Sequence, residues 1–142
     1  MKSKWLFPLS LVVPALVAMK IIGADQPQAA PDPRVERGQY LVERVAMCGD
    51  CHTPKTDKGE YDRSEWLKGD VLPFKPSIPM PFSAVAPAIA GLPTLTNDDL
   101  AIRFFTTGTN ASGKLAMPPM PQFRFNHEDA VAVVAYLRSL KK

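Results

Sequence analysis

Cysteine and histidine are scarce in this chain, with two of each in 142 residues. A zinc cage of thiolates and imidazoles would need all four, yet His127 stands 75 residues beyond His52, in the first turn of a predicted helix. Strand signals are scarce as well. No convincing run of alternating β-branched and aromatic residues occurs, and fifteen prolines interrupt the sequence. That speaks against a β protein and against the strand and helix alternation expected around a thioredoxin-like dithiol. Net charge is the third shortage. Of 17 basic residues, Lys2, Lys4 and Lys20 fall in the first 24 positions, which hold no acid, so the remainder balances 14 bases against 14 acids. No basic field for nucleic acid is expected, and any steering of a partner must come from local patches.

What is present is concentrated in Cys48-Gly49-Asp50-Cys51-His52, which uses both cysteines and one of the two histidines. This spacing lets two thiols add to the vinyl groups of one porphyrin while the adjacent imidazole sits beneath the iron. The motif therefore predicts one covalently bound haem c, with Cys48 and Cys51 as the attachments and His52 as an iron ligand. The competing readings of the same residues are a dithiol redox pair and half of a zinc site.

Residues 1–24 read as an export segment, with Lys2 and Lys4 ahead of the apolar stretch Trp5 to Met19. Left uncut, Trp5 to Ala24 is about long enough to span a bilayer, so a signal peptide and an amino-terminal anchor both fit. Residues 25–32 form a polar, proline-bearing linker. The remaining segment, 33–142, suffices for one small domain whose few short helices bury limited apolar area. A flat apolar cofactor would form part of such a core.

The expected fold is all-α, with about four short helices wrapped around the haem. Asp32 as N-cap and Pro33 at the first helical position open the first helix. Val35, Gly38, Leu41 or Val42, and Val45 then mark its inward stripe. Gly38 in mid-helix is costly unless another helix crosses closely over it. From Lys55 to Lys68 the chain is charged surface anchored by Trp66 and Leu67. Six prolines between Gly69 and Thr94 rule out a long helix there and predict an irregular wrap. A further helix is signalled by Thr96 as N-cap, Asp99 in a capping-box position and Gly108 as its stop, with Leu100, Phe104 and Phe105 facing inward. The last runs from an Asn126 cap along Ala130, Val133, Val134, Leu137 and Leu140 to the cations Lys141 and Lys142.

A second axial ligand decides carrier against catalyst, because a methionine on the far face closes the iron to small molecules and raises its potential. Met1 and Met19 lie in the leader, and Met47 is too close to Cys48 in sequence to reach across the ring. Three candidates remain: Met80 in Pro79-Met80-Pro81, and Met117 and Met120 in Met117-Pro118-Pro119-Met120-Pro121. Flanking prolines stiffen both loops around a flexible thioether. Met120, six residues before the Asn126 cap, is preferred, with Met80 and Met117 as alternatives. No residue is singled out as catalytic. His127 reads as a solvated first-turn side chain, and Asn110-Ala111-Ser112 as a loop.

Arg37-Gly38-Gln39-Tyr40-Leu41, Cys48 to Pro54, Pro119-Met120-Pro121 and Ala135-Tyr136-Leu137-Arg138-Ser139-Leu140 occur in this order, and together they resemble a class I single-haem cytochrome c. The resemblance covers roughly Pro33 to Leu140. It implies an electron carrier rather than an enzyme, with Cys48 and Cys51 as thioether attachments, His52 as proximal ligand and Met120 as distal ligand. It further implies redox protein partners (a dehydrogenase, oxidase or reductase), a periplasmic location, and first and last helices crossing near Gly38 with Tyr136 or Leu137 against it. The 69–94 loop departs from the shortest members by its length and its own Pro-Met-Pro. A membrane-tethered haem subunit of a dehydrogenase or respiratory complex is the alternative reading, and an open-site haem enzyme or sensor a more distant one.

Overall fold

In a computed structural model, which describes residue 30 and residues 32–141, the Asp32 side chain accepts from the Arg34 amide and Pro33 opens the first helix, as the sequence predicts. The leader 1–24, most of the linker and Lys142 lie outside the described residues. Helix α1 spans Pro33–Tyr40 and continues into a π-helical turn, Leu41–Val45, closed by the Ala46 amide on the Leu41 carbonyl. The wide turn advances the phase of the stripe by about one residue. Leu41, Val42 and Gly38 are buried as expected, but Val45 is 50% exposed and Ala46 packs against the core in its place. The inward assignment of Val45 is thereby corrected.

Helix α2 is a single turn, Gly49–His52, and a 3-10 turn follows at Arg63–Glu65. The proline-rich stretch is largely irregular but holds a short antiparallel ladder that the sequence did not announce. Strand β1 (Asp70–Val71) pairs with β2 (Val85–Ala86), with Asp70 opposite Ala86.

Helix α3 spans Asp98–Thr107 and ends at Gly108, whose φ of 73° is a left-handed cap that glycine adopts without strain. Its N-cap is Asn97, whose side chain accepts from the Leu100 amide, and not Thr96. Asparagine outranks threonine at this position, and the shift takes Asp99 out of capping-box register. Ala101 and Phe105 are its buried residues, with Ile102 and Phe104 partly covered and Leu100 half-exposed.

Helix α4, His127–Ser139, starts at Asn126, which accepts from the Asp129 amide. It packs against both α1 and α3, so it buries two faces. Ala130, Val133, Val134 and Leu137 form the predicted stripe, and Ala132 and Tyr136 add a second one. Gly38 is where α1 crosses α4: a Cβ there would fall on the Ala132 carbonyl and 2.7 Å from the Tyr136 Cβ. Among the described residues no helix is long and apolar enough to cross a membrane.

Candidate functional site

The cysteines and His52 are brought together by one turn of backbone. The Cys48 amide donates to the Val42 carbonyl at 3.0 Å, and the Cys48 carbonyl accepts from the His52 amide at 3.0 Å. Cys48 and His52 are buried while Cys51 is half-exposed. Met47, just before the turn, has φ 47°, an uncommon conformation for a residue with a side chain.

His52 is 5% exposed, and its Nδ1 lies 2.7 Å from the Pro87 carbonyl. A carbonyl only accepts, so Nδ1 carries the proton and Nε2 keeps its lone pair for a metal. Burial holds the imidazole pKa below its ordinary value, with the Pro87 bond opposing, so the ring is neutral. Burial also pushes the Cys48 thiol up to about 12. A dithiol oxidoreductase needs a readily formed thiolate, and this environment does the reverse. Among the described residues, no three His, Cys, Asp or Glu side chains gather as a metal cage. Two thiols and one neutral, tautomer-fixed imidazole on a single turn are a donor set that fits haem c.

The three candidate methionines sit on two loops that the Ser83 amide ties together by donating to the Pro118 carbonyl at 2.7 Å. Met80 and Met117 are 45% and 53% exposed, whereas Met120 is half-buried. The Met120 loop is fastened to the end of α3 by the Ala116 amide on the Gly108 carbonyl, and to α3 itself by the Phe125 amide on the Phe105 carbonyl. Phe123 and Phe125 stack beyond it at 5.2 Å. His127 is exposed at the first position of α4, as expected.

Several contacts at the site were not assigned from the sequence. Pro87 contributes only a carbonyl, which any residue could supply. Thr53 is fully buried, and its Oγ1 accepts from the Leu67 amide at 2.9 Å. Trp66, noted in the sequence only as an anchor, lies against Gly49 between the two cysteines.

A family model described as Cytochrome c matches residues 35–141. A protein named diheme cytochrome c-type, from Cereibacter sphaeroides, is 35% identical over 107 residues, covering 75% of this chain and 35% of that protein. The fructose dehydrogenase cytochrome subunit of Gluconobacter japonicus is 31% identical over 110 residues, or 73% of this chain and 21% of the subunit. The gluconate 2-dehydrogenase cytochrome c subunit of Pantoea cypripedii is 41% identical over 54 residues, 35% of this chain and 12% of the subunit. The chain thus spans about a third or less of the length of these relatives. It belongs to the cytochrome c family, whose domain holds covalently bound haem c for electron transfer.

Proposed function

We propose that Cys48 and Cys51 hold one haem c through thioether bonds, that His52 Nε2 is its proximal ligand, and that Met120 closes the opposite face. The observation that carries this reading is the Nδ1 to Pro87 contact of 2.7 Å, because it leaves only Nε2 to bind a metal on the turn that bears both thiols. When bound, the haem supplies a one-electron ferric and ferrous couple, with no bond made or broken in the partner. The protein's share is to ligate, to keep water out and to hold its side chains still between the two states. Burial of His52 and Cys48 and the fastening of the Met120 loop support that role.

Met120 is favoured over Met80 and Met117 because the protein already half-covers it, and it shares with Met80 the flanking prolines that restrict the backbone. The test is the weak far-red sulfur-to-iron band of the oxidised protein, recorded on Met120→Ala, Met117→Ala and Met80→Ala. Only Met120→Ala abolishes the band; its loss in either of the other variants refutes the assignment.

The domain is placed at 33–142, supported by the start of α1 at Pro33 and by the family match over 35–141. Residues 1–24 are read as a leader and 25–32 as a linker, which assigns the domain to the periplasm, free or tethered to the inner membrane. The redox partners are proteins. A dehydrogenase is favoured among them because two relatives are named as cytochrome subunits of dehydrogenases, and the same names favour a subunit of such a complex as the second reading, its tether resting on a retained leader alone. The amino-terminal sequence of the mature protein separates the two: a start near residue 25 supports a free carrier, and a retained leader supports the subunit.

A further inference from the structure

The two residues between the cysteines are both gripped from outside the turn. A Cβ on Gly49 would lie 2.7 Å from Trp66 Cη2 and 2.8 Å from Cζ3, so the indole edge rests directly on the Gly49 backbone. Asp50 accepts from the Tyr61 hydroxyl through its carboxylate and from Lys55 Nζ through its carbonyl at 2.9 Å. Tyr61 meets Trp66 edge-on at 5.6 Å, and the Arg63 guanidinium lies 4.4 Å over the indole ring.

The indole is itself held. Its Nε1–H donates to the Tyr136 hydroxyl at 3.3 Å, and Tyr136 O–H donates to the Glu43 carboxylate at 2.6 Å. Glu43 belongs to the π-turn and Tyr136 to α4, so this relay ties the attachment turn to the crossing of the first and last helices. The residues after Trp66 close on the same turn. The Leu67 amide donates to Thr53 Oγ1 at 2.9 Å, and the Gly69 amide donates to the His52 carbonyl at 2.8 Å. Leu67 is fully buried with φ 56°, a left-handed conformation that a branched side chain rarely adopts. Such strain persists where the surroundings over-determine it, which is common around functional groups.

We propose that Trp66 is the positioning residue of the haem-attachment turn, its indole braced against Gly49 and hydrogen-bonded through Tyr136 to Glu43 so that Cys48, Cys51 and His52 keep one geometry. This rests on the reading of Cys48 to His52 as the attachment turn. The indole touches neither iron nor porphyrin in this role. It acts through backbone, as outer residues do when they fix a metal-binding imidazole. The hydrogen bond can be separated from the ring's bulk, because Tyr136→Phe removes the acceptor while the indole edge on Gly49 stays in place.

The test compares Trp66→Ala, Trp66→Phe and Tyr136→Phe with the wild type, all haem-loaded, by amide hydrogen exchange at residues 49–53 and by midpoint potential. In Trp66→Ala, exchange at these amides rises by roughly tenfold or more, and the potential falls because water admitted beside His52 favours the ferric charge. Trp66→Phe loses the indole hydrogen bond together with the outer edge of the indole, Tyr136→Phe loses it together with the bond to Glu43, and each shows a smaller rise, on the order of fivefold, with the potential moving the same way. Wild-type exchange and potential in Trp66→Ala, or in both conservative variants should Trp66→Ala not fold, would overturn the proposal. If the wild-type peptide Val45 to Lys55 carried no haem, the attachment reading would fail instead, and exchange alone would then judge the role of Trp66.

Discussion

Replacing Gly38 with alanine has a predicted effect whose sign depends on the helix crossing. In an exposed helix the change stabilises by about 1 kcal/mol, because glycine is the poorer helix former. Here the new Cβ would fall on the Ala132 carbonyl, 2.6 Å from its carbon and 2.7 Å from the Tyr136 Cβ. Comfortable carbon contacts begin near 3.5 Å, so α1 and α4 must part by roughly 1 Å, and a gap of that size forfeits about a quarter to a half of each contact's attraction. The obstacle is backbone of a hydrogen-bonded helix and not the tip of a flexible side chain. The cost therefore belongs at or above the upper end of the overpacking range of about 1 to 3 kcal/mol. Set against the propensity gain, Gly38→Ala is destabilised by roughly 2 kcal/mol, and Gly38→Val by more, since it adds bulk and loses the propensity gain. Guanidinium unfolding of the haem-loaded protein at neutral pH measures this directly. A Gly38→Ala protein as stable as wild type, or more so, would refute the close crossing.

Arg138 donates to the carbonyls of Gly91, Leu92 and Leu95 from a side chain only 26% exposed. Arg138→Ala leaves three acceptors without their charged donor and lowers the unfolding free energy by about 2 to 4 kcal/mol in urea. By contrast, Arg37→Ala breaks a more exposed pair with Asp129 and leaves the unfolding midpoint close to that of the wild type in the same assay. Burial, with the Glu43 carboxylate next in effect, raises the Tyr136 phenol from 10.0 to about 12. The folded state therefore keeps a proton that the unfolded chain has released. That stability is fully present below pH 10 and is lost as pH rises through about 12. Up to about 2 kcal/mol is at stake, and Tyr136→Phe removes the alkaline loss in a pH series of unfolding midpoints.

The helix ends were legible because capping is local chemistry: Asp32, Asn126 and Gly108 each act on amides or carbonyls within a few residues. The start of α3 slipped by one residue because Thr96 and Asn97 are both competent caps, and the spacing to Asp99 pointed to Thr96 although asparagine is the stronger cap. Val45 was misplaced because a π-turn changes the helical period without any side-chain signature. The second buried stripe of α4, Ala132 and Tyr136, follows from its contact with two helices at once, which one helical period does not disclose. At the site, the two thiols and the imidazole were visible as a motif. The carbonyl that orients the imidazole, Pro87, and the indole behind the turn, Trp66, were not. Both reach the turn across many intervening residues and through groups whose identity the sequence does not mark.

Mass spectrometry of the tryptic peptide Val45 to Lys55 from denatured, solvent-extracted protein tests the central claim most directly, and it does not depend on how the amino terminus is processed. The peptide should weigh its eleven residues plus one haem, with Cys48 and Cys51 both resistant to alkylation. A bare peptide alkylated at both thiols, from cells competent in haem attachment, would contradict the account.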